Sequence, residues 1–483
     1  MLRNNNYLKP FNKIDLLFII FLFFVVLIQI FFFIKVQYHL SPNGFTTENF
    51  EMLSKNLALY NTYALGEYPD LSLYTFRPPL HPFLLSLCYK FFGTFYYSGI
   101  IFHNVLFTLS IVIIYITGRQ FHPTMGFIAS LLLFIDPISI KSANSCQSEI
   151  PFMFFLSLSL FWLVIFLQNH KLKHAILFSI CFTSSTFIRT VTIYFPFFVI
   201  LLICFGYVLY LKQNKLLYFK FLLIFLVIYS IPVSAWMYRN YKASGNSDFA
   251  GMKATHLYNF ISAKVVADRS HLSRSEANKL LDKKYINEDY YKLTDGEKEK
   301  YKIKVSKQVI LEHWQEFIKN YVKSYFVLFF SYPVEVYALQ YEKNIYQDIM
   351  NIVREKVYTV KERVIKIKTL ISQKYWGYLF YTIFIKIYYL MMMCLSFWGL
   401  YYMSFKTNKI DKKMIGLFLS ILFIYLILIT CTWATGRLRI QILPVMSLAS
   451  AYILWSYLGT KNLVPIHLLA ETKIKADLPI ALP

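Results

Sequence analysis

The sequence carries little charge and little glycine for its length. Of its 483 residues, 16% are Asp, Glu, Lys or Arg and 57% are hydrophobic, and the whole chain has 15 glycines. A soluble domain of this size would contain more of both. Runs of about 20 apolar residues are instead typical of helices that cross a bilayer. We therefore expect a membrane protein.

Motifs of soluble chemistry are also missing. The chain has no GxGxxG and no P-loop, which argues against a nucleotide-sugar enzyme of the soluble doubly wound type. Its six cysteines are scattered, without CxxC or Cys/His metal spacing. The net charge of +24 comes largely from lysines in short loops and in one hydrophilic region. Such lysines set membrane orientation and meet lipid headgroups, so we expect membrane lipid and no nucleic acid as a partner.

Ten apolar segments predict an all-α polytopic membrane protein with about ten transmembrane helices. The predicted spans are roughly 15–36, 97–117, 123–140, 150–168, 174–187, 191–211, 217–237, 377–402, 413–433 and 439–458. With a basic N-terminus in the cytoplasm, every short loop on that side is basic, as the positive-inside rule requires. This topology predicts extracytoplasmic juxtamembrane helices and one large outer loop region.

The spans divide the chain into four predicted parts. These are an N-terminal transmembrane core at 1–238 with its first outer loop at 38–96, an extracytoplasmic region at 239–376, C-terminal transmembrane helices at 377–460 and a cytoplasmic tail at 461–483. Segment 321–339 is apolar enough to be a further span. We favour a helix against the outer membrane face, because a span would weaken the charge pattern and Pro333 interrupts the segment.

Apolar residues recur at helical spacing between Ile345 and Ile371, with basic residues between them. This pattern is typical of an amphipathic helix that lies in the membrane interface and attracts anionic lipid. A solvated helix packed on the outer region fits the pattern nearly as well.

The most specific motif is Arg77-Pro78-Pro79-Leu80-His81-Pro82, which follows an acidic loop and leads into a hydrophobic helix. Its three prolines form a rigid approach to a helix start. In the predicted topology it lies outside the membrane, on the same face as several charged residues at the ends of spans. These are Asp136, Glu149, Arg189, Arg239, Arg437 and Arg439.

Charged residues near a membrane cluster where function needs them. Arginines bind phosphate by charge-assisted and often bidentate hydrogen bonds. Carboxylates take a proton from an attacking hydroxyl or hold a divalent metal. The combination suits a lipid phosphate as leaving group and a hydroxyl as nucleophile. No zinc site and no Ser-His-Asp arrangement is predicted.

The motifs resemble those of the GT-C integral-membrane glycosyltransferases, in the branch related to the dolichyl-phosphate-mannose protein mannosyltransferases and the bacterial lipid A sugar transferases. The resemblance covers about 40–455. It rests on the Arg-Pro-Pro motif with Tyr89–Gly93, on Pro137 with Ser148-Glu149, on Arg189, on Pro232 to Asn240 and on Arg437 to Pro444. Leu438 replaces a tyrosine of the family pattern, and Pro232 to Trp236 has one extra residue.

The resemblance implies transfer of a monosaccharide from a polyprenyl-phosphate donor to a glycan, lipid or protein acceptor at the outer face. The family has a catalytic aspartate in the first loop, about four residues before a tyrosine. Those places hold Thr46 and Phe50 here, and the nearest acids are Glu48 and Glu51. We prefer Glu48 as the base, with Glu51 as the alternative. The displaced acid leaves open a degenerate site.

The other implied roles follow the matching positions. Glu149 supports the base or caps its helix. Arg77, Arg437 and Arg439 hold the donor phosphate, with Arg239 as a lesser candidate, and Asp136 and Arg189 are further site candidates. His81 replaces an aromatic residue and is expected to pack. No cofactor is implied, although the carboxylates also suit a divalent metal.

We thus predict a polyprenyl-phosphate-sugar-dependent glycosyltransferase, in a bacterial plasma membrane rather than the endoplasmic reticulum. One rival is a transporter or flippase of a lipid-linked sugar, which needs the phosphate-binding arginines but no base. The other is a catalytically degenerate membrane subunit.

Overall fold

The structure is a computed structural model that describes residues 12–39, 49–94, 96–145, 147–209, 215–331, 368, 376–431 and 436–460. Nearly all of them are helical. The helices are α1 Lys13–His39, α2 Phe50–Tyr60, α3 Leu80–Phe92, α4 Tyr96–Arg119, α5 Pro123–Phe134, α6 Pro137–Ala143, α7 Glu149–Asn169, α8 Leu172–Ile188, α9 Phe195–Leu209, α10 Lys215–Ser244, α11 Met252–Thr255, α12 Ala263–Ser270, α13 Arg274–Tyr285, α14 Glu288–Lys292, α15 Asp295–Glu312, α16 Trp314–Phe330, α17 Trp376–Tyr401, α18 Ile410–Thr430 and α19 Leu443–Thr460.

Shorter elements connect some of these helices. Strands β1 Ala64–Leu65 and β2 Ser72–Leu73 pair antiparallel in the first loop. Residues Thr190–Thr192 and Gly436–Gln441 form 3₁₀ turns, and His256–Ser262 and Tyr402–Lys406 form π-helical turns.

Six of the described helices are long and apolar enough to cross a membrane: α1, α4, α7, α10, α17 and α18. The α5–α6 pair, bent by 69°, adds a seventh if it counts as one span. Three shorter apolar segments correspond to α8, α9 with its preceding turn, and α19. Together these segments lie at all ten positions predicted from the sequence. The predicted all-α, multi-pass membrane fold is confirmed.

A helix cap and a proline explain the bend between α5 and α6. Asp136 caps α6 by accepting a hydrogen bond from the Ser139 amide at 2.8 Å, and Pro137 occupies the first helical position. Proline at that position cannot continue α5. On the other side, α5 begins at Pro123 and packs closely on α4, where a Cβ on Gly118 would lie 2.7 Å from the Gly126 Cα.

An ion pair joins α1 to α4 at the end of the bundle far from the Arg-Pro-Pro motif. Asp15 accepts hydrogen bonds from Arg119 Nε at 2.7 Å and Nη2 at 2.9 Å, and a further one from the Tyr115 hydroxyl. Both charged side chains are buried. Buried charges of this kind are tolerated because each is paired and hydrogen-bonded. The pair therefore fixes the first helix on the core.

Helices α11 to α16 form the described part of the region predicted to lie outside the membrane. Capping boxes start α13 at Ser273 and α15 at Thr294, as expected for hydrophilic helices that do not rely on burial alone. A small separate core holds the helices together through Tyr258, Leu281, Val305 and Val309.

Helix α16 covers the first part of the segment whose nature the sequence left open. It ends at Phe330, before Pro333, and is not among the described helices that qualify as spans. One face is exposed and apolar, with Trp314, Ile318, Val322 and Phe326 four residues apart. This amphipathic pattern agrees with the interfacial helix that we favoured. Segment 345–371 lies outside the described residues, apart from residue 368.

Candidate functional site

The first loop carries the Arg-Pro-Pro motif and is held by hydrogen bonds to its backbone. Helix α3 begins at Leu80, directly after Pro79. The Tyr63 hydroxyl donates to the Arg77 carbonyl at 2.9 Å, and Arg239 Nη1 donates to the Tyr74 carbonyl at 2.7 Å. Arg239 also packs over the rings of Tyr63 and Trp236. Its guanidinium therefore positions the loop, which leaves it less suited to the phosphate role predicted for it.

Glu149 lies at the centre of the charged cluster. It is the first residue of α7 and is fully buried. Its Oε1 lies 2.8 Å from Arg189 Nη1 and 3.2 Å from Arg437 Nε. Neither contact has hydrogen-bond geometry, and within the described part of the chain neither carboxylate oxygen receives a hydrogen bond. The carboxylate is thus held by charge and keeps its capacity to accept hydrogen bonds.

Arg189, which ends α8, is fixed by more than the carboxylate. Its Nη1 donates to the Ser148 hydroxyl at 2.9 Å. With the Gln441 amide oxygen turned toward it, Gln441 accepts from Nε at 2.9 Å and from Nη2 at 3.1 Å. The Arg189 side chain is 18% exposed and that of Arg437 is 34% exposed. The cluster therefore presents partly accessible guanidinium groups around a buried carboxylate, an arrangement suited to a phosphate.

Arg439 points away from this cluster although it is only two residues from Arg437. It is fully buried, and its Nη1 donates to the Leu328 and Phe329 carbonyls at the end of α16. Its Cζ lies 3.4 Å from the centroid of the Tyr389 ring. These contacts use the guanidinium for structure. The predicted phosphate-binding role of Arg439 is not supported by this position.

Asp136 belongs to the same buried group as Arg439. Its Oδ1 lies 3.7 Å from Arg439 Nε and accepts a 2.7 Å hydrogen bond from the Tyr389 hydroxyl, while Oδ2 caps α6. Every bond of the carboxylate stays within the packed interior. We therefore interpret Asp136 as a structural anchor of the site rather than a reacting group.

The predicted base falls partly outside the described residues. Glu48 lies there, directly before the described segment that starts at Asn49. Glu51 is in the first turn of α2 and pairs with Lys55 at 2.7 Å, with 21% of its side chain exposed. Glu51 directly follows Phe50, whose ring is buried beneath Arg77 and packs on His81.

His81 packs, as predicted, and also makes a polar contact that the sequence did not reveal. Its Nε2 lies 3.1 Å from Nε2 of His103 on α4, and both side chains are fully buried. Burial lowers the pKa of His81 well below its usual range, and the nearby His103, Arg189 and Arg77 lower it further. His81 is therefore close enough to Arg77 and to Arg189 of the Glu149 cluster to feel their charges.

An apolar groove of about 520 Å³ opens between α2, α3, α8 and α10. Its walls include Leu57, Leu80, Phe83, Ile180, Phe187 and Ile228. Tyr63 and Trp236, the two rings that Arg239 covers, also line the groove, and Arg189 follows Phe187 by two residues. The groove therefore runs along the membrane-facing helices toward the arginine-rich end of the bundle.

The described acids of this region do not form a metal site. Among the described residues, no three His, Cys, Asp or Glu side chains are grouped to bind a metal ion. The charged neighbours of Glu149 are arginines, which exclude a cation. These residues do not fit the divalent metal that the carboxylates had suggested, and no step proposed below uses one.

Residues 76–236 match the model of the dolichyl-phosphate-mannose-protein mannosyltransferase family. The match includes Arg77, Asp136, Glu149 and Arg189 and covers about a third of the chain. The predicted family resemblance is confirmed. It supports, in general terms, a membrane glycosyltransferase that uses a polyprenyl-phosphate-linked sugar. No protein with a curated description matches the chain in sequence.

Two solved structures are similar in their overall chain path. ArnT from Cupriavidus metallidurans, bound to undecaprenyl phosphate, is 11% identical with a TM-score of 0.40, over 96% of this chain and 82% of that chain. The archaeal oligosaccharyltransferase AglB from Archaeoglobus fulgidus, in complex with an inhibitory peptide and a dolichol-phosphate, is 11% identical with a TM-score of 0.46, over 95% and 53%.

Sequence reasoning missed three residues of this region. Gln441 and His103 are polar residues inside segments read as spans, and Tyr389 lies in the middle of another. Intramembrane polar residues are a signal of function or of buried pairing, so His103 and Gln441 were open to detection. Their partners were not, because only the packing of distant helices brings them to His81 and Arg189.

Proposed function

We propose that this protein transfers a monosaccharide from a polyprenyl-phosphate donor to an acceptor hydroxyl at the extracytoplasmic face of the membrane. The observation that carries the proposal is that α8 joins two features: Phe187 lines the apolar groove, and Arg189, two residues later, belongs to the Glu149 cluster. A donor of this class has the same two parts, a phosphate and a long hydrocarbon tail.

The phosphate end fits the partly exposed guanidinium groups. Arg189 and Arg437 lie against one buried carboxylate, whose charge fixes both of them. Pre-positioned charges of this kind stabilise a leaving phosphate more than mobile ones do, because they need no reorganisation during the reaction. Arg77, at the edge of the groove, is a third candidate for the same group.

The hydrocarbon tail fits the groove. Its lining is nearly all aliphatic or aromatic, and Ile180 is exposed on the outer side of α8. A prenyl chain can therefore enter from the bilayer without desolvating polar groups. Two hydroxyl residues also line the groove: Ser184 donates to the Ile180 carbonyl, and Thr183 is buried with no hydrogen-bond partner among the residues described.

The reaction then requires one base. The acceptor hydroxyl attacks the anomeric carbon, the bond from that carbon to the phosphate oxygen breaks, and its electron pair leaves with the polyprenyl phosphate. The hydroxyl proton passes to a first-loop carboxylate, for which we keep Glu48 as first choice and Glu51 as the alternative. Glu149 serves as the support of the arginines, because its carboxylate lies against both of them.

The direct test is release of free polyprenyl phosphate by the purified protein in lipid nanodiscs, from a panel of polyprenyl-phosphate-linked radiolabelled monosaccharides. Saturable release supports the proposal. A flippase would move the donor intact and a degenerate subunit would do neither. Absence of release with every donor, in the presence of a lipid extract as acceptor source, would overturn the proposal.

The base assignment has its own matched control. Glu51→Ala and Lys55→Ala both remove the ion pair on α2, but only the first removes the acid. If Glu51 is the base, Glu51→Ala loses roughly 10²–10⁴-fold in turnover while Lys55→Ala stays active. If Glu48 is the base, Glu48→Ala shows that loss instead. Full activity in both acid variants would sink the assignment.

A further inference from the structure

Two buried histidines adjoin the proposed site without a role in the chemistry. His81 on α3 and His103 on α4 are both fully buried, and their Nε2 atoms lie 3.1 Å apart. A hydrophobic pair would fill this space without the cost of burying polar atoms. The polar contact therefore calls for an explanation.

The Nδ1 contact of His103 indicates which protons the neutral pair carries. His103 Nδ1 lies 2.7 Å from the Gly99 carbonyl, which can only accept, so Nδ1 carries a proton. His103 also bonds to the backbone of Gln147. In a neutral His103 with this tautomer, Nε2 presents a lone pair, to which His81 donates its Nε2 proton. This leaves a lone pair on His81 Nδ1, which is buried and has no partner within the described segments.

The histidine pair is one end of a column of side chains whose other end is Arg77. The His81 ring meets the Phe50 ring edge to face, with centroids 4.5 Å apart. The Arg77 Cζ lies 4.8 Å from the centroid of Phe50. The order is thus Arg77, Phe50, His81 and His103. Phe50 is 3% exposed, so the column is packed along its length.

The charged groups near His81 are positive, and the negative Glu149 lies near His103. Arg77 and Arg189 each lower the pKa of His81, and burial lowers it most. A protonated imidazole here would repel two guanidinium groups and break the donated bond to His103. The pair therefore remains in place only while both rings are neutral.

We propose that the His81–His103 pair is a positioning element of the transferase, which holds Phe50 and, through that ring, the Arg77 guanidinium at the phosphate end of the groove. The proposal rests on the function proposed above. A free arginine side chain loses rotamer entropy when it is ordered. The column supplies that order before the donor binds, as preorganisation requires. His81 thus acts through Arg77 and does not touch the reacting atoms.

Two amide substitutions separate the contacts of His81. The amide of His81→Gln reaches the Nε2 position and can still donate to His103, whereas the amide of His81→Asn reaches only the Nδ1 position. We expect His81→Gln to keep turnover within about threefold of the wild type, and His81→Asn to raise the donor KM roughly tenfold, the equivalent of one lost modest interaction. Equal donor KM values for the two variants would overturn the proposal.

A double-mutant cycle with Arg77 distinguishes positioning from a general structural role. If His81 acts through Arg77, His81→Asn combined with Arg77→Gln has the same donor KM as Arg77→Gln alone. If the increase in donor KM of the double variant equals the product of the two single-variant increases, the proposal is contradicted. Ser86→Ala is the matched control, because Ser86 is a buried polar residue of α3 that bonds within its own helix. It should retain the wild-type KM.

Failure of this proposal is distinct from failure of the proposed function. Wild-type release of polyprenyl phosphate together with unchanged KM in His81→Asn rejects the positioning role alone. Absence of release in the wild type rejects the transferase itself, and with it the role of the column.

Discussion

The protein contains two buried carboxylate–arginine clusters that lie close together and differ in how their hydrogen bonds are used. In the Asp136–Arg439 cluster, Asp136 accepts bonds from Tyr389 and Ser139, and Arg439 donates to three carbonyls at and just after the end of α16. In the Glu149 cluster, the carboxylate receives no hydrogen bond from any described residue.

This difference separates a structural cluster from a candidate site. Buried polar groups are normally hydrogen-bonded, so a cluster that satisfies its own carboxylate needs no ligand. A buried carboxylate with unused acceptor capacity, beside arginines that are 18% and 34% exposed, leaves room for one. Each cluster contains one arginine of the same 3₁₀ turn. Arg437 contacts Glu149, and Arg439 contacts Asp136.

The largest expected difference between the two clusters follows from substitution of the structural arginine, Arg439. Arg439→Met leaves Asp136 buried without its charge partner and leaves the end of α16 without donors. Removal of one partner from a buried pair costs about 3–5 kcal/mol, so we expect a large loss of monodisperse protein in size-exclusion chromatography. Arg437→Met is the control and should purify normally. Equal yields of the two variants would contradict the assigned roles.

Replacement of each carboxylate by its amide compares the two clusters directly. Glu149→Gln should keep the fold and lose roughly 10²-fold in kcat/KM, because the arginines lose the charge that fixes them. Asp136→Asn should lower the free energy of unfolding by about 1–3 kcal/mol while the folded fraction keeps its specific activity. Thermal unfolding measures the stability of each variant, and polyprenyl-phosphate release measures its activity. Identical profiles for the two variants would remove the distinction between the clusters.

Within the Glu149 cluster, the two arginines can be ranked. Arg189 bonds to Ser148 and Gln441, whereas Arg437 is the more exposed. We expect Arg437→Gln to raise the donor KM at least tenfold, since a hydrogen bond to a charged group contributes about 1.5–3 kcal/mol. Arg189→Gln should lower the unfolding temperature more than Arg437→Gln does. The reverse order in both measurements would overturn the ranking.

The smallest expected effect is a loss of folding stability at acidic pH. The pKa of His81 is depressed in the folded protein, so below about pH 6.5 the unfolded chain binds a proton that the folded one does not. Stability is therefore complete above that pH and falls as the pH drops toward the folded pKa, by at most about 1.4 kcal/mol per pH unit. Thermal midpoints at pH 7.5 and 5.5 should differ less in His81→Gln than in the wild type. An equal difference would show that His81 does not titrate on unfolding.

Much of the fold was predictable because membrane helices depend on local composition. All ten apolar segments lie where hydropathy placed them, and the bend at Asp136-Pro137 has a local cause in the cap and the proline. The sequence was less informative at the ends of helices. The segment 439–458 was read as one span, yet Gly436–Gln441 form a 3₁₀ turn and α19 begins at Leu443.

The candidate site was predictable as a set of residues but not as a set of contacts. Glu149, Arg189 and Arg437 were all named, and they meet. Arg439 was named on the same grounds, and it serves a different cluster. Residue type and spacing cannot separate these cases, because the partners of Arg439 are backbone carbonyls more than 100 residues away, which have no signature in the sequence.

Gly436 limits the movement of the turn that joins the two clusters. A Cβ at this position would lie 2.2 Å from the Ser331 hydroxyl oxygen and 3.0 Å from the Ile138 side chain, so the turn has little freedom to drift. Arg439 fixes it from the other side. A rigid turn with Arg439 bonded inside the protein keeps Arg437 in a constant place. Successive donors can then meet the same phosphate contact without any movement of the frame.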